Sequence, residues 1–380
     1  MQSLRVEGLG PLKSAHVRLA DLTVLVGPQA SGKSVLLQTL KAAVDMDPIV
    51  DALKRHGYHW KDDPRAFYEL LYGEGMGSLA SPTSRIEVDG TPWDPLAAAD
   101  ESWSKKSRAA ARMFYVPAQR VLTLQDGWPT PFGGYPIGAP YVVKQFSEDL
   151  RLQLEERERS SEALFPVPTR WKAELRKAVA DAVFHDAEVM VDSTRLRKRV
   201  VLKVSGSAEL PFLSWSAGQR EFIPLMLGLY WLMPTQGSAM RRPLEWAVIE
   251  EPEMGLHPAA VNAVGLLILD LLKRGYRVVL STHSPHLIEL VWALDRIRDA
   301  LRFDSGHLAR LFDVPATPGV REIAEAMVEK TFSVTYLSGG QSKDISSLDP
   351  ADEDTDVAGW GGLTNLAERA NDLVAETRLL

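Results

Sequence analysis

Eight consecutive residues, Gly27-Pro28-Gln29-Ala30-Ser31-Gly32-Lys33-Ser34, narrow what this chain can fold into more than any other stretch. They fit GxxxxGKS, and their surroundings fit too. Leu22-Thr23-Val24-Leu25-Val26 is an apolar, β-branched run that reads as a buried strand, and Val35-Leu36-Leu37-Gln38-Thr39-Leu40 opens a helical pattern. Strand, glycine loop and helix in that order make an anion site: backbone amides turn inward and the helix N-terminus adds its positive dipole end. Gly27, Gln29, Ala30, Ser31, Gly32, Lys33, Ser34 and Val35 are the candidate phosphate cradle. Lys33 is placed to reach β- and γ-phosphates and the Ser34 hydroxyl to ligate Mg²⁺.

At 380 residues the chain can bury a full core, as one large domain or two ordinary ones. It has no cysteine, which excludes disulfides, thiolate metal sites and cysteine nucleophiles, and suits a reducing cytoplasm. The first residues lack a basic region followed by an apolar core, so no signal peptide is expected. The longest apolar run, Phe222 to Met233, contains Pro224 and is too short for a bilayer; the expectation is a soluble, cytoplasmic protein without a membrane partner. Net charge is −7, which argues against a nucleic-acid binder over the whole surface but leaves room for a local basic groove. Arg195-Leu196-Arg197-Lys198-Arg199 is one candidate, and a solvated strand entry is the plainer reading.

Taken in order, residues 3 to 26 read as two strands around Gly8-Leu9-Gly10-Pro11 and then the strand feeding the glycine loop. The helix after Ser34 is expected to stop between Asp45 and Pro48. A helix over Pro64 to Leu71 follows, then a glycine-rich turn at Gly73 to Gly77, a hairpin at Asp89-Gly90, and a strand at Met113 to Val116 that ends in Pro117-Ala118-Gln119-Arg120. Phe146, Leu150 and Leu154 recur at i+4 in a charged, helix-rich segment that Pro166 and Pro168 break. Beyond Arg199 come a strand, Ser214-Trp215-Ser216-Ala217-Gly218-Gln219 leading into an apolar helix, and a strand at Leu244 to Ile249 ending in Glu250-Glu251-Pro252-Glu253. A helix over Pro258 to Leu272 and a strand from Tyr276 to His283 follow. The acidic run Ser346 to Asp356 reads as a mobile loop, with an aspartate metal site as the sharper alternative.

Five elements therefore stand in one order: Gly27 to Ser34, Gln119, Ser216-Ala217-Gly218-Gln219, Ile249-Glu250-Glu251-Pro252, and His283. That order resembles the ATP-binding-cassette ATPases over residues 1 to about 290. The Glu-Glu-Pro-Glu-Met-Gly-Leu-His-Pro run and Tyr115-Val116-Pro117-Ala118-Gln119-Arg120 are similar to a soluble, non-transport branch. That branch comprises the OLD and Septu-like ATPases (AAA_21-like), related to SMC and RecF ATPases. The resemblance implies an α/β fold with a mixed sheet core, an antiparallel N-terminal β part and a compact helical insertion. It divides the chain into a first lobe (1–142), an insertion (143–198), a second lobe (199–300) and a C-terminal extension (301–380). It also implies ATP and Mg²⁺ as cofactors, with Ser34, Gln119 and Glu250 toward the metal. Glu251 becomes the catalytic carboxylate, His283 the γ-phosphate sensor, and Ser216, Gly218 and Gln219 the signature motif. Carboxylates directly after a buried strand fit those roles physically, since Glu250 can hold the metal's water shell and Glu251 can polarise the attacking water.

A literal Leu337-Ser338-Gly339-Gly340-Gln341 also occurs, but it follows His283 and precedes a poor helix start, so a glycine turn is expected there. The function implied is an ATPase that forms a homodimer through ATP and regulates a separate effector, such as an HNH or Toprim nuclease in anti-phage defence. A RecF-like or SMC-like DNA repair ATPase, with nucleic acid bound, is the alternative. A transporter subunit fits less well, because Glu250 stands where transporters usually carry Asp.

Overall fold

The computed structural model describes residues 1–60, 63–105, 109–158, 163–193, 198–204, 209–233, 244–298 and 303–378. The chain opens with β1 (Ser3–Leu9), β2 (Leu12–Arg18) and β3 (Leu22–Val26), then α1 (Lys33–Arg55) and α2 (Pro64–Tyr72). Strands β4 (Ala80–Val88) and β5 (Thr91–Pro92), helix α3 (Pro95–Ser104), and strands β6 (Met113–Val116), β7 (Leu124–Gln125) and β8 (Trp128–Pro129) follow. Next come α4 (Tyr141–Glu158), α5 (Ala173–Val179), β9 (Glu188–Asp192), β10 (Arg199–Lys203), β11 (Leu210–Pro211) and α6 (Ala217–Leu232). The last part holds β12 (Trp246–Glu250), α7 (Pro258–Lys273), β13 (Arg277–Thr282), α8 (Pro285–Arg298), α9 (Ser305–Phe312) and α10 (Pro318–Met327). Strands β14 (Phe332–Ser338) and β15 (Gln341–Asp344) and helices α11 (Thr355–Ala358) and α12 (Asn365–Arg378) complete it.

Among the described residues ten strands form one mixed sheet in the order β5-β4-β1-β2-β15-β14-β3-β13-β12-β6. Strands β14, β3, β13, β12 and β6 are mutually parallel, whereas β5, β4, β1 and β2 form an antiparallel N-terminal part. The parallel strands read as unbroken apolar runs because both faces are covered. Val24 and Val26, Phe114 and Val116, and Ala247 and Ile249 face the α4, α6 and α7 side. Leu25, Met113, Tyr115 and Val248 face α1 and α2 on the other. The fold is α/β, as the motifs implied. Phe146, Leu150 and Leu154 of α4 are fully buried against the first of these faces, and β9 to β11 make a separate three-stranded sheet beside it.

Helix α1 continues to Arg55 where the sequence rule expected it to stop. The reason is local: Asp45 leaves helical geometry (φ −129°, ψ 34°), so Pro48 falls in the first turn of a second helical segment, where an amide is not needed. The buried Asp45 carboxylate accepts from the Arg112 and Met113 amides and pairs with Lys41 Nζ at 2.6 Å, which also donates to Met113 O. Kink and ion pair together cover the outer side of β6, an edge strand.

The C-terminal stretch is woven into the sheet. Strand β14 pairs in parallel with β3, Tyr336 opposite Val26, and β15 returns beside β2. Ser338-Gly339-Gly340-Gln341 is the two-residue hairpin turn between them, with both glycines at positive φ (58° and 83°), so no helix starts there and the glycine-turn reading is correct. The acidic segment after it differs from the mobile loop expected. Ile345, Leu348, Val357 and Trp360 anchor it in the core, Trp360 Nε1 donates to Leu348 O at 3.0 Å, and Lys343 pairs with Asp354 and Asp356. Among the described residues no group of three or more His, Asp or Glu is arranged to hold a metal, so the aspartate site is not formed. Arg195 to Arg197 of the basic run lie outside the described residues; Arg199 opens β10 and pairs with Asp192 at 3.2 Å. No described helix is long and apolar enough to cross a membrane.

Candidate nucleotide site

Because β14, β3, β13, β12 and β6 run parallel, their C-terminal ends meet along one edge, where open α/β sheets place their ligands. After β3 comes the glycine loop, after β13 His283, at the end of β12 Glu250 with Glu251 directly after it, and after β6 Gln119. Sequence-distant motifs thus converge through strand pairing alone.

The loop is built as an amide nest. Gly27, Ala30 and Gly32 all have positive φ (151°, 60° and 97°), so the chain turns back on itself before the first helical bond, Leu36 N to Gly32 O at 2.9 Å. Pro28, Gln29 and Ala30 are exposed at the mouth, while Ser31, Lys33 and Val35 are buried beneath it. Lys33 Nζ donates to Gly27 O (2.8 Å), Pro28 O (2.9 Å) and Ser31 Oγ (3.3 Å), which holds the ammonium inside the loop where a phosphate would lie. Burial lowers its pKa, and the carboxylates of Glu251, Glu250 and Glu253 pull it back up. A Cβ at Gly27 would lie 2.1 Å from Leu337 O of β14. Gly27→Ala is therefore expected to destabilise the protein by about 1–3 kcal/mol through forced separation of β3 and β14. Denaturant titration checks this, and nucleotide affinity should fall with it.

Glu250 is almost fully buried at the end of β12, and burial raises its pKa; the Ser34 and Tyr115 hydroxyls beside it and the Ala118 amide act in the opposite direction. The Ala118 amide donates to Oε2 at 3.0 Å, but neither hydroxyl reaches bonding geometry with Oε1, which has no hydrogen-bond partner among the described residues. A buried, unpartnered carboxylate oxygen beside the exposed Ser34 hydroxyl fits a divalent cation with its water shell. Gln119, exposed and one residue after Ala118, is on the same rim.

Glu251 has φ 44°, a left-handed conformation unusual for a side-chain-bearing residue and of a kind that clusters at functional sites. Its Oε1 lies 3.2 Å from His283 Nε2, so the two residues assigned to catalysis touch. Glu253 fixes the other partner: its Oε1 accepts from Thr282 Oγ1 (2.7 Å) and the His283 amide (2.8 Å), locking the end of β13 to the turn after β12. Sequence reading named Glu253 only as part of a run. Its signal was the third acid in Glu-Glu-Pro-Glu, and nothing local revealed its partner 30 residues on.

Ser216, Gly218 and Gln219 stand apart from this cluster in their contacts. Ser216 is the N-cap of α6; its hydroxyl accepts from the Gln219 amide and its own amide donates to Gln219 Oε1, a reciprocal capping box. Gln219 Nε2 donates to Val183 O, and Gly218 packs toward Gly255 O, which a Cβ would meet at 3.0 Å. Ser216 is exposed and makes no hydrogen bond to the glycine loop.

The chain is similar to several known proteins. A 174-residue stretch is 25% identical to the Old nuclease of Escherichia phage P2, covering 46% of this chain but only about a quarter of that protein's length. Solved structures align loosely. An SMC head bound to the C-terminal winged-helix domain of ScpA gives a TM-score of 0.43 at 11% identity, covering 90% of this chain and 96% of that one. An SMC head domain from Thermotoga maritima gives 0.37 at 10%, covering 90% and 97%. Residues 22–289 match the AAA_21 family, described as "AAA domain, putative AbiEii toxin, Type IV TA system". With well over half of its length matched, this chain belongs to that AAA-domain family.

Proposed function

We propose that the chain hydrolyses ATP with Mg²⁺, dimerises head to tail through bound ATP, and uses that cycle to control a separate effector, a nuclease in anti-phage defence. The observation that carries the reading is the meeting of Lys33 with Glu250, Glu251 and His283 along one sheet edge. The loop amides bind the β-phosphate, and Lys33 exchanges the Gly27 and Pro28 carbonyls for phosphate oxygens. Water attacks the γ-phosphorus as the bond to the bridging oxygen breaks; Glu251 orients that water and takes its proton, with His283 holding the carboxylate. Ser34, Glu250 and Gln119 would hold Mg²⁺, which supplies charge neutralisation on the phosphates.

The dimer reading is supported by the exposed Ser216 at a helix N-terminus, free of bonds to its own chain's loop. The effector reading is supported by the stretch shared with the Old nuclease. Lys33→Ala tests the first step: ATP affinity should drop about 10–100-fold, the value of a lost charge-assisted bond. Unchanged affinity in equilibrium binding, with an intact fold, would remove the loop from this account. For the effector, co-expression with an HNH or Toprim nuclease encoded beside it should give a complex whose DNA cleavage responds to ATP; a neighbourhood without such a gene would count against this effector. Cleavage indifferent to ATP and to Lys33→Ala would refute it.

A further inference from the structure

Arg120 is completely buried, and among the described residues it is the largest side chain so enclosed. A guanidinium removed from water is costly unless its donors are used. Here Nε and Nη1 go to main-chain carbonyls, while Nη2 has no hydrogen-bond partner among the described residues. Nη1 donates to Glu250 O (3.0 Å) and Glu251 O (3.1 Å), and Nε donates to Glu221 O (3.1 Å) in α6. The nearest carboxylate oxygen, Glu221 Oε2, is 3.9 Å from Nε, so this is no ordinary salt bridge. One side chain therefore clasps the turn after β12, the turn after β6 on which it sits, and the helix that Ser216 caps.

What the clasp holds is the unusual part of the site. Glu251 has φ 44°, a strained conformation that persists only when surroundings enforce it. Its amide bonds to Ser281 O at 2.9 Å, and Arg120 grips the carbonyls on either side of the Glu251 amide and α-carbon. With Nη1 on both carbonyls and Nε on Glu221 O, the rigid planar guanidinium fixes the direction of that turn against α6, which a flexible ammonium does less well.

We propose that Arg120 is the positioning residue of Glu251: by binding the carbonyls of Glu250 and Glu251 and tying them to α6, it aims the Glu251 carboxylate at the attacking water. The inference rests on the ATPase reading of the same site. It requires that loss of Arg120 act through Glu251 and nowhere else in the chemistry.

The experiment compares Arg120→Met, Arg120→Lys and wild type by steady-state hydrolysis, equilibrium ATP binding and thermal unfolding, and repeats Arg120→Met in a Glu251→Gln background. Arg120→Met should lower kcat by about 100-fold, as expected for misplacement of a reacting group by an ångström. KM should stay within about threefold, since ground-state binding is untouched. Arg120→Lys should regain stability but only part of kcat. In the Glu251→Gln background the further loss in single-turnover rate should be under about threefold, because the two residues act as one unit. If Arg120→Met fails to fold, the Arg120→Lys comparison in both backgrounds carries the test. Additive losses with Glu251→Gln, or full kcat in Arg120→Lys, would overturn the proposal. A wild type that binds but never hydrolyses ATP would instead sink the ATPase reading itself.

Discussion

Glu251→Gln should lower steady-state ATP hydrolysis by about 10²–10⁴-fold, the usual contribution of a positioned general base, while ATP affinity stays nearly unchanged. Glutamine keeps the size and a hydrogen-bonding oxygen, so the contact with His283, 3.2 Å away in wild type, can persist. What it loses is the negative charge that polarises water and accepts its proton. If ATP bridges two copies, a variant that binds but does not cleave will accumulate the bridged state, because hydrolysis no longer drains it. Light scattering with and without MgATP should show mass doubling for this variant and a smaller shift for wild type. Retained hydrolysis would remove Glu251 from catalysis. Retained binding with no change in mass would remove the ATP-dependent dimer.

The second large effect is expected from mixing two inactive chains. Lys33→Ala lacks the phosphate-binding ammonium, and Ser216→Arg blocks the helix N-terminus that would face the partner's nucleotide. In a two-fold dimer of composite sites each homodimer has two damaged sites, whereas the heterodimer has one site with both defects and one with none. Activity should therefore reappear on mixing, up to one competent site per heterodimer. Ser216→Arg also removes the N-cap of α6, at a cost of about 1 kcal/mol, so its folding is checked by circular dichroism first. Demonstrated heterodimers without recovered activity would overturn independent composite sites.

The glycine loop, the strands bordering Glu250, Glu251 and His283 and the order of the motifs were legible in the sequence because their determinants are local. Residues 22 to 26, 246 to 250 and 277 to 282 are short apolar runs bounded by turn or polar residues, and each is a strand of the parallel block. The Ser216 capping box is equally local, with its two members three residues apart. The same local rules told the hairpin at Ser338 apart from a second signature motif: two glycines followed by no helix-forming run make a turn.

The tertiary structure decided what depends on partners far away in the chain. No pattern in residues 332 to 338 announces that they pair with β3, 310 residues earlier between Phe332 and Leu22, and so back the glycine loop through Leu337 O. The acidic run after Asp344 is polar enough to read as loose, yet four separated apolar side chains hold it in the core. Pro48 carried a local rule against helix, which the structure overrides: the non-helical Asp45 places Pro48 in the first turn of a second segment, where its missing amide costs no bond. Glu253 and Arg120 stand inside motifs that say nothing of their partners; the first matters because strand pairing brings Thr282 and His283 to it, the second because burial sets it on main-chain carbonyls. Local propensity and motif spacing chose the elements and the chemistry. Side-chain partners, and with them the direction in which Glu251 points, were set by contacts whose sequence separation leaves no periodic trace.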